Sequence, residues 1–219
     1  MSLTTWNKLI TPALRYFRRR RARIISGVIK SNNVKSIADI GGSVHYWQEN
    51  GISVEPKQVS IYNISKGDSG SLDNVRTDYR VELFNGQNVP VSDKHFDLVV
   101  SNSVIEHVAL DQRQQLVKEM QRIGKQVIIQ TPARAFPIDP HFIMPFVHWL
   151  PKNIGYLLVL ISPWRILSRP PKAIRRSYHY ETNILSKREL EALMPGAEIR
   201  TERFFGLPKS YVALSRPTI

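Results

Sequence analysis

Phe96-Asp-Leu-Val-Val-Ser-Asn-Ser-Val-Ile-Glu-His-Val108 decides how the chain is read. Residues 96–100 are apolar apart from Asp97, a run of strand length with no alternation of polar and apolar positions. Such a run fits a strand covered on both faces of a parallel sheet. Ser101, Asn102, Ser103, Glu106 and His107 follow at once, at its carboxyl end. Ligands of open α/β sheets bind outside the carboxyl ends of strands, so these five residues are the first site candidates.

Upstream, residues 34–40 read as a first strand ending in Asp39-Ile-Gly-Gly-Ser43. A short helix over 44–50, stopped by Gly51, follows. Residues 59–64 form a second strand with a polar loop after it, and a third strand lies around 79–84, ahead of the turn pair Asn85-Gly86. Downstream, Asp111 can cap a helix with Leu116, Val117, Met120 and Ile123 as its buried stripe and Gly124 as its stop. Residues 126–131 are a fifth strand, again almost continuously apolar. Short buried strands alternating with helices predict an α/β fold: a Rossmann-like, doubly wound, mostly parallel seven-stranded sheet. Right-handed crossovers gather the strand ends at one edge, where Asp39, Asn63, Asn85, Ser101 and Thr131 are expected to line a crevice.

Four segments are expected. Residues 1–33 carry apolar positions at helical spacing (Trp6, Leu9, Ile10, Ala13, Leu14, Phe17), with Pro12 expected to kink the helix or mark its start. Arg15, Arg18, Arg19, Arg20, Arg21 and Arg23 make it a basic amphipathic helix. Residues 34–131 are the sheet core. Residues 132–180 form an insert: eight of the 14 prolines fall between Pro132 and Pro171, which forbids one long helix and suits a lid of short pieces. Residues 181–219 close the core with a helix, capped by the box Ser186-Lys-Arg-Glu189 and stopped by Gly196, and an antiparallel hairpin through Gly206 and Pro208.

Composition sets outer bounds. In 219 residues, 42% of them hydrophobic, one domain with an elaboration is expected. The absence of cysteine excludes disulfides, thiolate metal sites and a cysteine nucleophile. A net charge of +13 favours anionic partners. The longest apolar run, 154–161, is far short of the roughly 20 residues a spanning helix needs. A cytoplasmic chain is expected, peripheral to the inner membrane if residues 15–23 attach to anionic lipid. The aromatic and basic interleaving of an RNA-binding module is missing, so nucleic acid is a weaker expectation. Nothing in the sequence sets the oligomeric state.

Asp39-Ile-Gly-Gly, Val89-Pro-Val-Ser-Asp-Lys-His-Phe-Asp97 and Ser101-Asn-Ser-Val-Ile-Glu-His-Val108 together resemble the class I S-adenosylmethionine-dependent methyltransferases, in their type-11 branch. Gln130-Thr-Pro132, Phe136-Pro-Ile-Asp-Pro-His-Phe142 and Trp149-Leu-Pro151 resemble an uncharacterised bacterial subgroup. The resemblance implies S-adenosylmethionine as cofactor. Gly41 and Gly42 let backbone approach its methionine part, and Asp39 anchors the ammonium group. Ser43 and His45 stand where the family usually has glycines, which places an imidazole near the pocket. The ribose-binding acid falls at Asn63 and the adenine-side acid at Asn85 beside Gly86, with Glu82 or Asp78 as alternatives. Ser101 and Asn102 face the cofactor. An Asn keeps an acceptor oxygen but gives up the charge-assisted bond.

Methyl transfer from a sulfonium needs alignment above all, and a base only where the acceptor must lose a proton. His107 and His141 are the candidate bases, with Glu106 orienting His107 or holding an acceptor hydroxyl. No spacing of His, Asp and Glu resembles a closed metal site. The acceptor class expected is a small molecule, a sugar or a lipid-linked intermediate. Two other readings stay open: a degenerate cofactor-binding scaffold at a membrane or polysaccharide assembly, and an RNA methyltransferase.

Overall fold

The computed structural model describes residues 3–65 and 79–217. Most of the polar loop after the second strand, and with it Asp78, lies outside the described residues. In chain order the elements are α1 (Leu3–Ser31), β1 (Ile37–Ile40), α2 (Val44–Glu49), β2 (Val59–Asn63), β3 (Arg80–Leu83), β4 (Phe96–Asn102), α3 (Arg113–Ile123), β5 (Gly124–Pro132), β6 (Ile138–Asp139), β7 (Met144–Pro145), α4 (Lys152–Leu160), α5 (Pro163–Ser168), α6 (Lys172–Glu181), α7 (Lys187–Leu193), β8 (Glu198–Phe204) and β9 (Leu207–Leu214). Seven strands make one mostly parallel sheet in the order β3-β2-β1-β4-β5-β9-β8, closed by the antiparallel C-terminal pair. That is the doubly wound architecture the strand pattern predicts. The chain divides into two compact units, residues 1–102, 114–129 and 214–219 against residues 103–113 and 130–213.

In the first unit β1 pairs in parallel with both β2 and β4, Asp39 standing opposite Ile61 and Val100. Strand order reverses at β1, and the crevice beyond such a reversal is where ligands bind. Ile37, Ile61, Leu98 and Val99 are fully buried, each worth roughly 1.5–3 kcal/mol relative to exposure. Asp97, the polar exception in the run, is the staple at its start. Its carboxylate accepts from the Lys35 and Ser36 amides and from Lys125 Nζ at 2.8–3.2 Å. Burial opposes its charge, but those donors hold the carboxyl down at about 2.

Helix α1 turns Phe17, Ala22, Ile25 and Ile29 inward and leaves Arg18, Arg19, Arg20 and Arg23 exposed. It does not begin at Pro12: it runs through that residue, giving up one amide hydrogen bond among 29 helical residues.

The second unit holds the insert, broken as proline demands. Pro151 and Pro171 precede α4 and α6, and Pro163 opens α5, positions where a missing amide hydrogen costs nothing. Phe142, Val147 and Val159 form its core. The capping box is formed in both directions: Ser186 Oγ accepts from Glu189 N, and Ser186 N donates to Glu189 Oε2. β8 and β9 are joined by Phe205-Gly206, both with positive φ, 47° and 79°, the signature of a type I′ hairpin turn.

Candidate functional site

The carboxyl edge of the first unit carries one group of candidates. Gly41 has φ 72° and its amide donates to the Tyr62 carbonyl, which turns the chain sharply after β1. A Cβ on Gly42 would lie 1.7 Å from Asp39 Oδ2, so only glycine lets the turn close over that carboxylate. Asp39 is buried. Its Oδ2 accepts from Trp47 Nε1 at 2.7 Å, while Oδ1 has no hydrogen-bond partner among the described residues. Burial pushes this carboxyl up to about 7, against the pull of the indole. Ser43 is the N-cap of α2, its Oγ accepting from Tyr46 N at 3.3 Å.

Asn63 Nδ2 donates to the Gly42 carbonyl at 3.1 Å, a role that a carboxylate at this position cannot play. Asn85 Oδ1 accepts from Gln87 N and Asn88 N at 2.9 and 2.8 Å. That is an Asx turn, beside Gly86 with φ 79°. Ser101 Oγ donates to the Ile40 carbonyl, tying the end of β4 to that of β1. Asn102 Oδ1 is buried without a hydrogen-bond partner among the described residues. The edge therefore brings Asp39, Gly42, Asn63, Ser101 and Asn102 to the ends of three adjacent strands, while Asn85 lies exposed in its own turn. His45 departs from the expectation of an imidazole near the pocket. Two residues past the cap, it projects outward and pairs with Glu49 at 2.8 Å, both exposed.

The second unit carries another group. A 3₁₀ turn over Ile105–His107 follows Ser103, which has φ 58°, and so places Glu106 and His107 on successive residues. Glu106 is fully buried. Oε2 accepts from Thr131 Oγ1 at 3.1 Å, and Oε1 makes no hydrogen bond among the described residues, with His141 Nε2 3.9 Å away. Burial raises the Glu106 carboxyl, and His141 opposes that rise.

Asp139 accepts from both the backbone amide and Nδ1 of His141, at 2.9 and 3.0 Å. His148 Nδ1 stands 3.6 Å from its other oxygen. Burial would raise Asp139, yet these imidazoles hold it well below the ordinary carboxylate range. The ionised carboxylate fixes the proton of His141 on Nδ1 and leaves the lone pair on Nε2.

His107 Nδ1 lies 3.1 Å from Thr182 Oγ1, whose own proton goes to the Tyr178 carbonyl. His107 therefore donates through Nδ1, and its lone pair is also on Nε2. Burial, then the neighbouring His141, lower its pKa to about 4, which keeps the ring neutral. Tyr178 stacks on His107 with centroids 5.4 Å apart and stands edge-on to His141. A cavity of about 360 Å³ is lined by His107, Ala173, Ile174, Ser177, Tyr178, Glu181 and Thr182.

Sequence reasoning named Glu106, His107 and His141 but missed the groups that orient them. Thr182 is 75 residues from His107 and carries no local signal; Thr131 was expected at the crevice as a strand end, but not its bond to Glu106. Trp47 was visible as the one large apolar residue just after the glycine turn.

Residues 31–127 match the type-11 family model described as a methyltransferase domain. No curated protein matches the sequence. Among solved structures, the methyltransferase domain of bacterial CtHen1 is 15% identical with a TM-score of 0.53, covering 92% of this chain and 98% of its own. A SAM-dependent methyltransferase from Archaeoglobus fulgidus is 12% identical with a TM-score of 0.51, covering 88% and 93%. Magnesium protoporphyrin IX methyltransferase from Synechocystis, solved with bound SAH, is 11% identical with a TM-score of 0.51, covering 90% and 83%.

Proposed function

We propose that the chain, whose residues 31–127 match the model of a methyltransferase domain, uses S-adenosylmethionine to methylate a small-molecule, sugar or lipid-linked acceptor handled by Glu106, His107 and His141. S-adenosylmethionine supplies a methyl group on a positively charged sulfur, a leaving group that keeps the bonding electrons.

The residues at the edge of the first unit fit that cofactor. Asp39 Oδ1, buried and without a hydrogen-bond partner among the described residues, suits the ammonium group, and a cation there draws the carboxyl back to its ionised form. The backbone of Gly41 and Gly42 takes the methionine part, with Ser43 starting the helix behind it. Asn63, Ser101 and the unpartnered Asn102 Oδ1 serve the nucleoside. Gly86 keeps the neighbouring turn low, and Asn85 holds that turn rather than the adenine.

The observation that carries the acceptor class is the cavity of about 360 Å³ that reaches His107, a size for a small organic group rather than a folded macromolecule. His141, oriented by Asp139, presents Nε2 to a hydroxyl or amine proton. His107, held neutral, accepts a hydrogen bond. The exposed Ile154 and Leu157 of α4, with Ile161 at its end, suit an acceptor with a lipid part.

A second reading has its own observation. Asn63 and Asn85 are both committed to backbone, as in a module that binds cofactor without turning it over. Thermal unfolding with added S-adenosylmethionine or S-adenosylhomocysteine tests both. Stabilisation is expected for the wild type and is lost in Asp39→Ala; a flat response at high ligand overturns the enzyme reading. Stabilisation without methyl transfer to any hydroxylated or lipid-linked acceptor favours the scaffold.

A further inference from the structure

The expectation that no spacing of His, Asp and Glu makes a metal site rested on positions along the chain. His107 and His141 are 34 residues apart, but within the second unit the fold returns them to each other, ring centroids 4.9 Å apart. One potential ligand atom from each of Glu106, His107 and His141 lies within 4.8 Å of the other two. Ligands about 2.0–2.2 Å from an ion stand roughly 3–4 Å apart, so only a slight inward movement separates the three from coordination. We propose that Glu106, His107 and His141 bind one divalent transition-metal ion.

Three observations support it independently of spacing. Glu106 Oε1 is buried and has no hydrogen-bond partner among the described residues, in an otherwise satisfied carboxylate. Each imidazole is braced through Nδ1, His141 by the Asp139 carboxylate and His107 by the Thr182 hydroxyl. That bracing leaves the Nε2 lone pairs available, as in metal centres where an outer acceptor fixes the ring's tautomer. The charges also match: a dication against one carboxylate, with a second carboxylate, Asp139, behind the histidine. Two imidazoles favour zinc, cobalt, nickel or iron over magnesium and calcium, which take oxygen ligands.

Three protein ligands leave positions open for an oxygen of the acceptor. With both Nε2 lone pairs on the ion, His141 no longer takes the acceptor's proton: a hydroxyl bound there loses it to bulk water more readily than a free one, so the acceptor class narrows to molecules with an ionisable oxygen. This part rests on the methyl-transfer reading; binding of the ion does not.

The test uses the tag-free full chain after chelator treatment. Titration with Co²⁺ should develop visible d–d bands that saturate at one ion per chain, disappear on adding Zn²⁺ and persist in excess Mg²⁺. His107→Ala and His141→Ala should each weaken binding by at least about 100-fold, and Asp139→Asn by roughly 10–100-fold, with thermal unfolding confirming that each variant is folded. Absence of bands in the wild type, or wild-type binding in the double His107→Ala/His141→Ala chain, overturns the site. S-adenosylhomocysteine binding, measured separately, keeps the two ideas apart. Cobalt bound without the nucleoside sinks only the methyltransferase reading, and nucleoside bound without cobalt sinks only the metal.

Discussion

Asp39 is a carboxyl caught between an indole that wants it charged and a burial that wants it neutral. With an ordinary value of 3.8 and a folded value of about 7, it is protonated in the folded chain and ionised in the unfolded one between those limits. The unfolded state binds fewer protons there, so stability falls as pH rises from about 4 to about 7, by at most about 1.4 kcal/mol per pH unit. Asp39→Asn keeps an acceptor for Trp47 and removes the titration. Denaturant unfolding of the ligand-free protein at about pH 5 and about pH 7 should show the wild type losing more stability than the variant; parallel losses would show that Asp39 is not strained. At this scale Asp39, Gly41 and Gly42 were legible, because a turn that must close over a carboxylate leaves no choice but glycine. His45 was not. Its direction is set by Ser43, whose cap starts the helix and swings the next residue but one to solvent.

The elements were legible where burial or proline dictates them. The unalternating runs at 96–100 and 126–131 are β4 and β5, and Pro151, Pro163 and Pro171 open α4, α5 and α6. The box at Ser186 was read directly from its spacing. Ser186→Ala should cost about 1 kcal/mol, with Glu189 losing its anchor as well; a thermal midpoint unchanged within error would show that α7 is held by Leu190 alone. What could not be read is the pairing of elements distant in sequence. The 3₁₀ turn at 105–107, the end of β5 at Thr131 and the end of α6 near Thr182 meet around Glu106 and His107 through tertiary packing, which leaves no periodic trace.

For the whole molecule, the net charge of +13 is carried unevenly. Arg18, Arg19, Arg20 and Arg23 share the exposed side of α1, while no helix among the described residues is long and apolar enough to cross a membrane. Attachment by charge is the expectation that follows. The protein should sediment with vesicles rich in anionic lipid and be released as salt shortens the screening length from about 10 Å near 0.1 M to about 3 Å near 1 M. Replacing those four arginines by glutamine should abolish it. Binding to neutral vesicles, or binding indifferent to salt, would move the contact to the apolar face of α4.

The indole of Trp47 donates its only hydrogen to the carboxylate beneath the glycine turn. Indole emission responds to a charge placed beside the ring, so this side chain is a built-in optical gauge of whether Asp39 is ionised. A fluorescence titration, read as the difference from Trp47→Phe because three other tryptophans also emit, follows that state without label, acceptor or turnover.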